Sequence, residues 1–82
     1  MRLLVAGRGH EVRGFALAGV DTVTCDSRTQ VHTVLVELAA DVGVLIVSRW
    51  FEQAASEQLA QIRDRRGPPI VLTLPADPEE RG

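Results

Sequence analysis

A chain of 82 residues has room for one core and can bury roughly 60–65% of its unfolded surface. Its net charge is −2, with nine arginines, no lysine and 11 acidic residues; this excludes the strong positive excess of a nucleic-acid footprint. No apolar run approaches the ~20 residues of a membrane span, so the expectation is a cytoplasmic protein with no direct membrane insertion. A single cysteine, Cys25, rules out an internal disulfide, and with only His10 and His32 as histidines there is no basis for a metal site.

In chain order, the apolar run Arg2 to Ala6 reads as a first strand. The turn Gly7-Arg8-Gly9-His10 follows, then a short helix from about Glu11 to Ala18 that stops at Gly19, a residue suited to the left-handed conformation beyond a helix end. Val20 to Cys25 is the second strand. Asp26 or Ser27 caps a second helix whose Val31, Val34, Leu35 and Leu38 make one apolar stripe. Val42 to Val47 is the third strand, continuous enough to be buried on both faces. A third helix starts near Ser48, carries Phe51, Ala54, Ala55, Leu59 and Ile62 on one face, and ends at Gly67-Pro68-Pro69. Ile70 to Leu74 is the last strand, so that residues 1–75 form one α/β domain and 76–82 a short polar tail.

Strand and helix alternating in this way predict a four-stranded parallel sheet with helices on both faces and a flavodoxin- or receiver-like (Rossmann-like) topology. With right-handed crossovers and strand order 2-1-3-4, the first helix lies on one face and the other two on the opposite one. The face with one helix is then half covered, and its apolar floor calls for something outside this chain.

The turn at Gly7 begins like a phosphate-binding loop. A dinucleotide fingerprint needs a third glycine where Val12 stands, and the chain has no lysine for a Walker-type loop. The simpler reading is a tight strand-to-helix turn in which Gly7 or Gly9 takes backbone angles that other residues avoid. Receiver chemistry is excluded as well: the positions after strands one and three, where acids would hold Mg²⁺ and accept phosphate, are Gly7-Arg8 and Ser48-Arg49. No spacing brings Cys25 or Ser48 to His10 or His32 as nucleophile and base. The sequence therefore offers no catalytic, cofactor-binding or metal-ligating residue.

Gly7, Val12, Gly14, Phe15, Leu17, Ala18, Gly19 and Val20, together with Pro69-Ile70-Val71 through Pro75, resemble the opening and the closing strand of the F subunit of V-type (V/A-type) ATPases and ATP synthases. The resemblance implies a non-catalytic rotor part. It would dock on the coiled coil of the D subunit in the central stalk and through it serve the catalytic A/B hexamer, as a peripheral part of a membrane-associated complex that couples ATP turnover to ion transport. Three departures are visible. Arg8 stands where the family often has an acid, Ala16 where it has a basic residue, and the family's C-terminal helix is missing or truncated. The alternative function is a small nucleotide- or phosphate-binding module built on Gly7 to His10 and the helix N-terminus behind them.

For a partner interface the sequence offers Arg49 and Trp50, off the apolar stripe of the third helix, because exposed tryptophan and arginine are favoured anchors. Gly14 and Leu17 belong to a first helix that is apolar on two sides. Glycine within a helix costs ~1 kcal/mol relative to alanine and marks the close approach of another backbone. Arg63, Arg65 and Arg66 cluster at a helix C-terminus, where cations suit the dipole; Arg63 and Arg66 are candidates to pair with acids on a coiled coil.

Overall fold

The computed structural model describes residues 2–38, 41–65, 67 and 69–74; Arg66, Pro75 and the tail 76–82 lie outside the described residues. The elements are β1 (Arg2–Gly7), α1 (Gly9–Leu17), β2 (Asp21–Thr24), α2 (Arg28–Val36), β3 (Val42–Val47), α3 (Arg49–Ala54), α4 (Ser56–Asp64) and β4 (Ile70–Thr73). All three strand pairings are parallel and the order is β2-β1-β3-β4, the expected α/β layout.

Local chemistry sets the helix ends. α1 closes in a Schellman turn: the Gly19 amide donates to the Ala16 carbonyl at 3.0 Å and the Val20 amide to the Phe15 carbonyl at 3.0 Å, with Gly19 at φ 85°. α2 starts at Ser27, whose Oγ accepts from the Gln30 amide at 3.3 Å. Ser48 does the same for α3, accepting from the Phe51 amide at 3.1 Å.

Paired residues of parallel strands share a face, so the register sorts the side chains into two layers. Leu4, Ala6, Val23, Leu45, Val47 and Val71 look one way, towards α2, α3 and α4, and build the main core with Val31, Phe51, Ala55, Leu59 and Ile62. The register shifts between the Arg2–Val42 and Leu3–Val44 pairs, which leaves Gly43 as the extra residue of a bulge. That bulge turns Val42, 1% exposed, into the same core.

The other face carries Leu3, Val5, Gly7, Thr22, Thr24, Val44, Ile46, Ile70 and Leu72. α1 packs over β1 and β2 there, and Val5 and Val12 are buried beneath it. Beyond α1 the floor is bare. Leu3, Ile70 and Leu72 are 41%, 61% and 51% exposed, and Val44 and Ile46 are half-buried. Among the described residues, then, this face is covered on one side only, as the crossover argument requires.

The third helix departs from expectation. It is broken at Ala55 (φ −135°, ψ 37°) into α3 and α4, although Ala54-Ala55-Ser56 contains no helix breaker. Contacts distant in sequence accompany the break. Arg63 Nη2 donates to Glu52 Oε2 at 3.0 Å and to Thr73 Oγ1 at 3.1 Å, and the Thr73 hydroxyl also donates to Glu52. Residues 52 and 63 in a straight helix would be ~16 Å apart along the axis, too far for that pair. The bend brings them together and clamps both helices to β4.

Candidate functional site

In an open α/β sheet, ligands enter at the C-terminal ends of the strands, where successive connections leave to opposite faces. Here that point lies between β1, which continues into α1 on one face, and β3, which continues into α3 on the other. The Ser48 amide donates to the Ala6 carbonyl at 3.0 Å and the Cys25 amide to the Gly7 carbonyl at 2.9 Å, so the turns after all three neighbouring strands are stitched together.

Three of the chain's own side chains meet at the crevice. Glu11, in the first turn of α1, accepts the Arg8 amide on Oε1 at 2.7 Å and the Arg8 guanidinium on Oε2 at 3.3 Å. The Arg8 guanidinium in turn lies 5.4 Å from the centre of the Trp50 ring, a cation–π contact across the mouth of the crevice. Ser48, 3% exposed, sits beneath. Gly7 has to be glycine for this reason: a Cβ there would meet Ser48 Oγ at 2.9 Å, Ser48 Cβ at 3.0 Å and Glu11 Oε1 at 3.2 Å. This corrects the conformational expectation for the turn. Among the described residues only Gly19 and Gly67 have positive φ, so Gly7 and Gly9 serve close packing or ordinary helix entry.

The electrostatics follow from these contacts. Burial pushes the Glu11 carboxyl up, but hydrogen bonds from the Arg8 side chain and backbone and from Ser48, with the Arg8 charge, outweigh it and hold the group below the ordinary carboxylate value of 4.5. A carboxyl with a depressed folded-state pKa adds stability above its unfolded value, and that share is lost as pH falls through the folded value. Glu11→Gln is therefore expected to lower stability by about 1–2 kcal/mol at pH 7, and the difference from wild type should shrink as pH falls below 4.5 and through the lower folded-state value. Urea titrations at pH 7 and at pH 3 measure both; an equal difference at the two pH values would contradict the assigned role.

A phosphate approaching this turn would meet a carboxylate already bonded to the Arg8 amide. Cys25, fully buried directly after β2, has its thiol pushed up by burial and by Asp26, which suits an inert core residue. His10 is exposed, and His32 contacts Gln58 on the surface between α2 and α4. Among the described residues there is no group of three His, Cys, Asp or Glu side chains that could hold a metal. A groove lined by Leu4, Val23, Val34 and Leu38 opens at the opposite end of the sheet, with Arg2 at its rim 3.9 Å from Asp21 and 3.7 Å from Asp41.

The residues singled out for contact are dispersed over the surface. Arg49 is exposed and Trp50 half-buried, its ring against both Arg8 and the main core. Leu17 is 82% exposed. Gly14 has no atom within 4 Å of a Cβ built on it, so no backbone among the described residues approaches it. Arg63 is engaged with Glu52 and Thr73. Sequence reasoning passed over Glu11, although its spacing from the helix-capping position was a readable signal, and it passed over the alternation that exposes Ile70 and Leu72.

The family model described as ATP synthase (F/14-kDa) subunit matches residues 3–82. The chain belongs to that family. Its members are non-catalytic accessory subunits of the rotary ATPase. A search of the curated proteins found no match. Among the described residues no helix is long and apolar enough to cross a membrane, while the family is part of a membrane-associated ATPase complex.

Proposed function

We propose that this member of the family is a part of the central stalk that docks on the coiled coil of the D subunit and helps to couple ATP turnover in the A/B hexamer to ion transport. The observation that carries the reading is the family match over residues 3–82. The Glu11 carboxylate at the β1–α1 turn weighs against the alternative, a nucleotide or phosphate held by Gly7 to His10, because it already takes the Arg8 amide and the Arg8 guanidinium. Arg49, Trp50, Gly14 and Leu17 remain the residues offered for contact, with Arg63 and Arg66 as further pairing partners for acidic groups.

Co-expression with the D-subunit coiled coil, followed by size exclusion with light scattering, tests the proposal. A 1:1 complex is the expected outcome. Two folded proteins eluting separately at micromolar concentration would overturn it.

A further inference from the structure

We propose that the joint between α3 and α4 is a latched hinge: the clamp of Glu52, Arg63 and Thr73 holds it bent, and when the clamp opens residues 49–64 run on as one straight helix whose far end lifts off β4. This goes beyond the stalk reading and does not depend on it.

Everything local at the joint favours the straight form. Alanine is the strongest helix former, yet Ala55 sits at φ −135°, ψ 37°. The Ala55 amide still reaches the Phe51 carbonyl at 3.1 Å, and the Leu59 amide the Ala55 carbonyl at 2.9 Å, which are the bonds of an uninterrupted helix. Between them the series fails. Among the described residues no backbone carbonyl of α3 takes the amides of Ser56, Glu57 and Gln58, and Ala55 offers α4 no side-chain cap in its place. A straight helix would give these amides the carbonyls of Glu52, Gln53 and Ala54. Nor does the core require the bend. At about 100° per residue, Phe51, Ala55, Leu59 and Ile62 fall within an arc of ~80°. All four are buried, so one apolar stripe runs through the joint in either form.

Against this stands one cluster of polar side chains. Glu52 and Arg63 are just over three helical turns apart in sequence, so in a straight helix they lie ~20° apart around the axis and ~16 Å apart along it. Bending towards their shared side closes the gap. The bonds then made, from Arg63 Nη2 to Glu52 Oε2 at 3.0 Å and to Thr73 Oγ1 at 3.1 Å, are within reach of solvent, because the Arg63 and Glu52 side chains are 41% and 35% exposed. Salt, or an acidic group brought to Arg63, competes for them; a contact inside the core would not yield in this way.

The direction of opening follows from what is pinned. The start of α3 is tied to the sheet, since the Ser48 amide donates to the Ala6 carbonyl and the Phe51 amide to Ser48 Oγ. The end of α4 is held less firmly. Ile62 near that end and Val71 on β4, 9% and 8% exposed, are the least buried members of the core. Straightening therefore carries the Arg63 end of α4 away from Thr73, and β4 loses its tie to the helical layer.

Amide hydrogen exchange followed by NMR on the full chain reads the hinge directly. In Glu52→Ala and in Arg63→Met, the amides of Ser56, Glu57 and Gln58 should exchange at least about tenfold more slowly than in wild type, because they gain helical acceptors. The Leu74 amide, bonded to the Val47 carbonyl at 2.8 Å, should exchange faster. The double variant Glu52→Arg with Arg63→Glu rebuilds the ion pair and should return all four amides to wild-type rates, and Glu37→Gln, an exposed charge change at the end of α2, should leave them there. Wild type in about 1 M NaCl, where screening acts over ~3 Å, should shift in the same direction as the clamp variants, a measurement that needs no variant to fold. Rates at Ser56 to Gln58 that stay at the wild-type value would overturn the inference and assign the bend to core packing. Faster exchange there would also overturn it, making the clamp a brace against fraying. An unmoved Leu74 amide would do so too, since α4 would then have straightened without leaving β4.

Discussion

Phe51→Ala should remove about 3–5 kcal/mol of stability, a loss comparable with the whole stability of a chain this size, at roughly 0.05–0.15 kcal/mol per residue. Phe51 is 0% exposed and is the bulkiest of the fully buried side chains. It projects from the first turn of α3 into the core beneath Leu45, Val47 and Val71, and its own amide is tied to Ser48, so the site has little freedom to collapse around the void. At about 4–8 °C per kcal/mol for a domain of this size, the midpoint should fall by more than ~12 °C, and much of the protein should be unfolded at 37 °C. Trp50, its neighbour in sequence, gives the contrast: it is half-buried, and its removal forfeits rim packing and one cation–π contact of about 0.5–1 kcal/mol. Thermal melts of the two variants side by side settle the matter. A loss below about 1 kcal/mol for Phe51→Ala, or equal losses for the pair, would mean that the core is centred elsewhere.

Gly7→Ala should cost about 1–3 kcal/mol, the usual penalty for overpacking, even though alanine is favoured over glycine in ordinary backbone conformations. One methyl group at this position meets the Ser48 hydroxyl at 2.9 Å and a Glu11 oxygen at 3.2 Å. Neither can retreat freely, because Ser48 caps α3 and Glu11 is bonded to Arg8. Gly9→Ala is the matched control, since a Cβ there finds only the Thr24 methyl at 3.5 Å, an ordinary contact. Chemical denaturation should therefore separate two glycines that sit two residues apart. If Gly7→Ala is as stable as Gly9→Ala, the crevice is looser than these distances require.

That contrast also marks the limit of what a sequence discloses. The strand and helix pattern, the sheet order and the half-covered face could be read from apolar periodicity and from the handedness of crossovers, because both are local or topological rules. Gly19 could be read too, since its role depends on the helix that ends there. The reason for Gly7 could not. The atom that excludes a side chain belongs to Ser48, far along the chain, and only the pairing of β1 with β3 brings them together. The break at Ala55 was equally illegible: Ala54-Ala55-Ser56 holds no breaker, and the Glu52, Arg63 and Thr73 contacts that go with the bend join residues distant in sequence. For the candidate contacts, residue type indicated which side chains make good anchors, but not that those on α1, α3 and α4 are spread over separate parts of the surface.

The clamp of Glu52, Arg63 and Thr73 bears on how this small domain carries a load. An outermost strand held along one side only would be the first to unzip under tension. Thr73, at the end of β4, is tethered through Arg63 to α4 and through Glu52 to α3, so a pull on β4 reaches the helices on the far side of the sheet as well as β3. The edge strand thus behaves as one face of a braced slab: it should peel only when the helical layer shears with it.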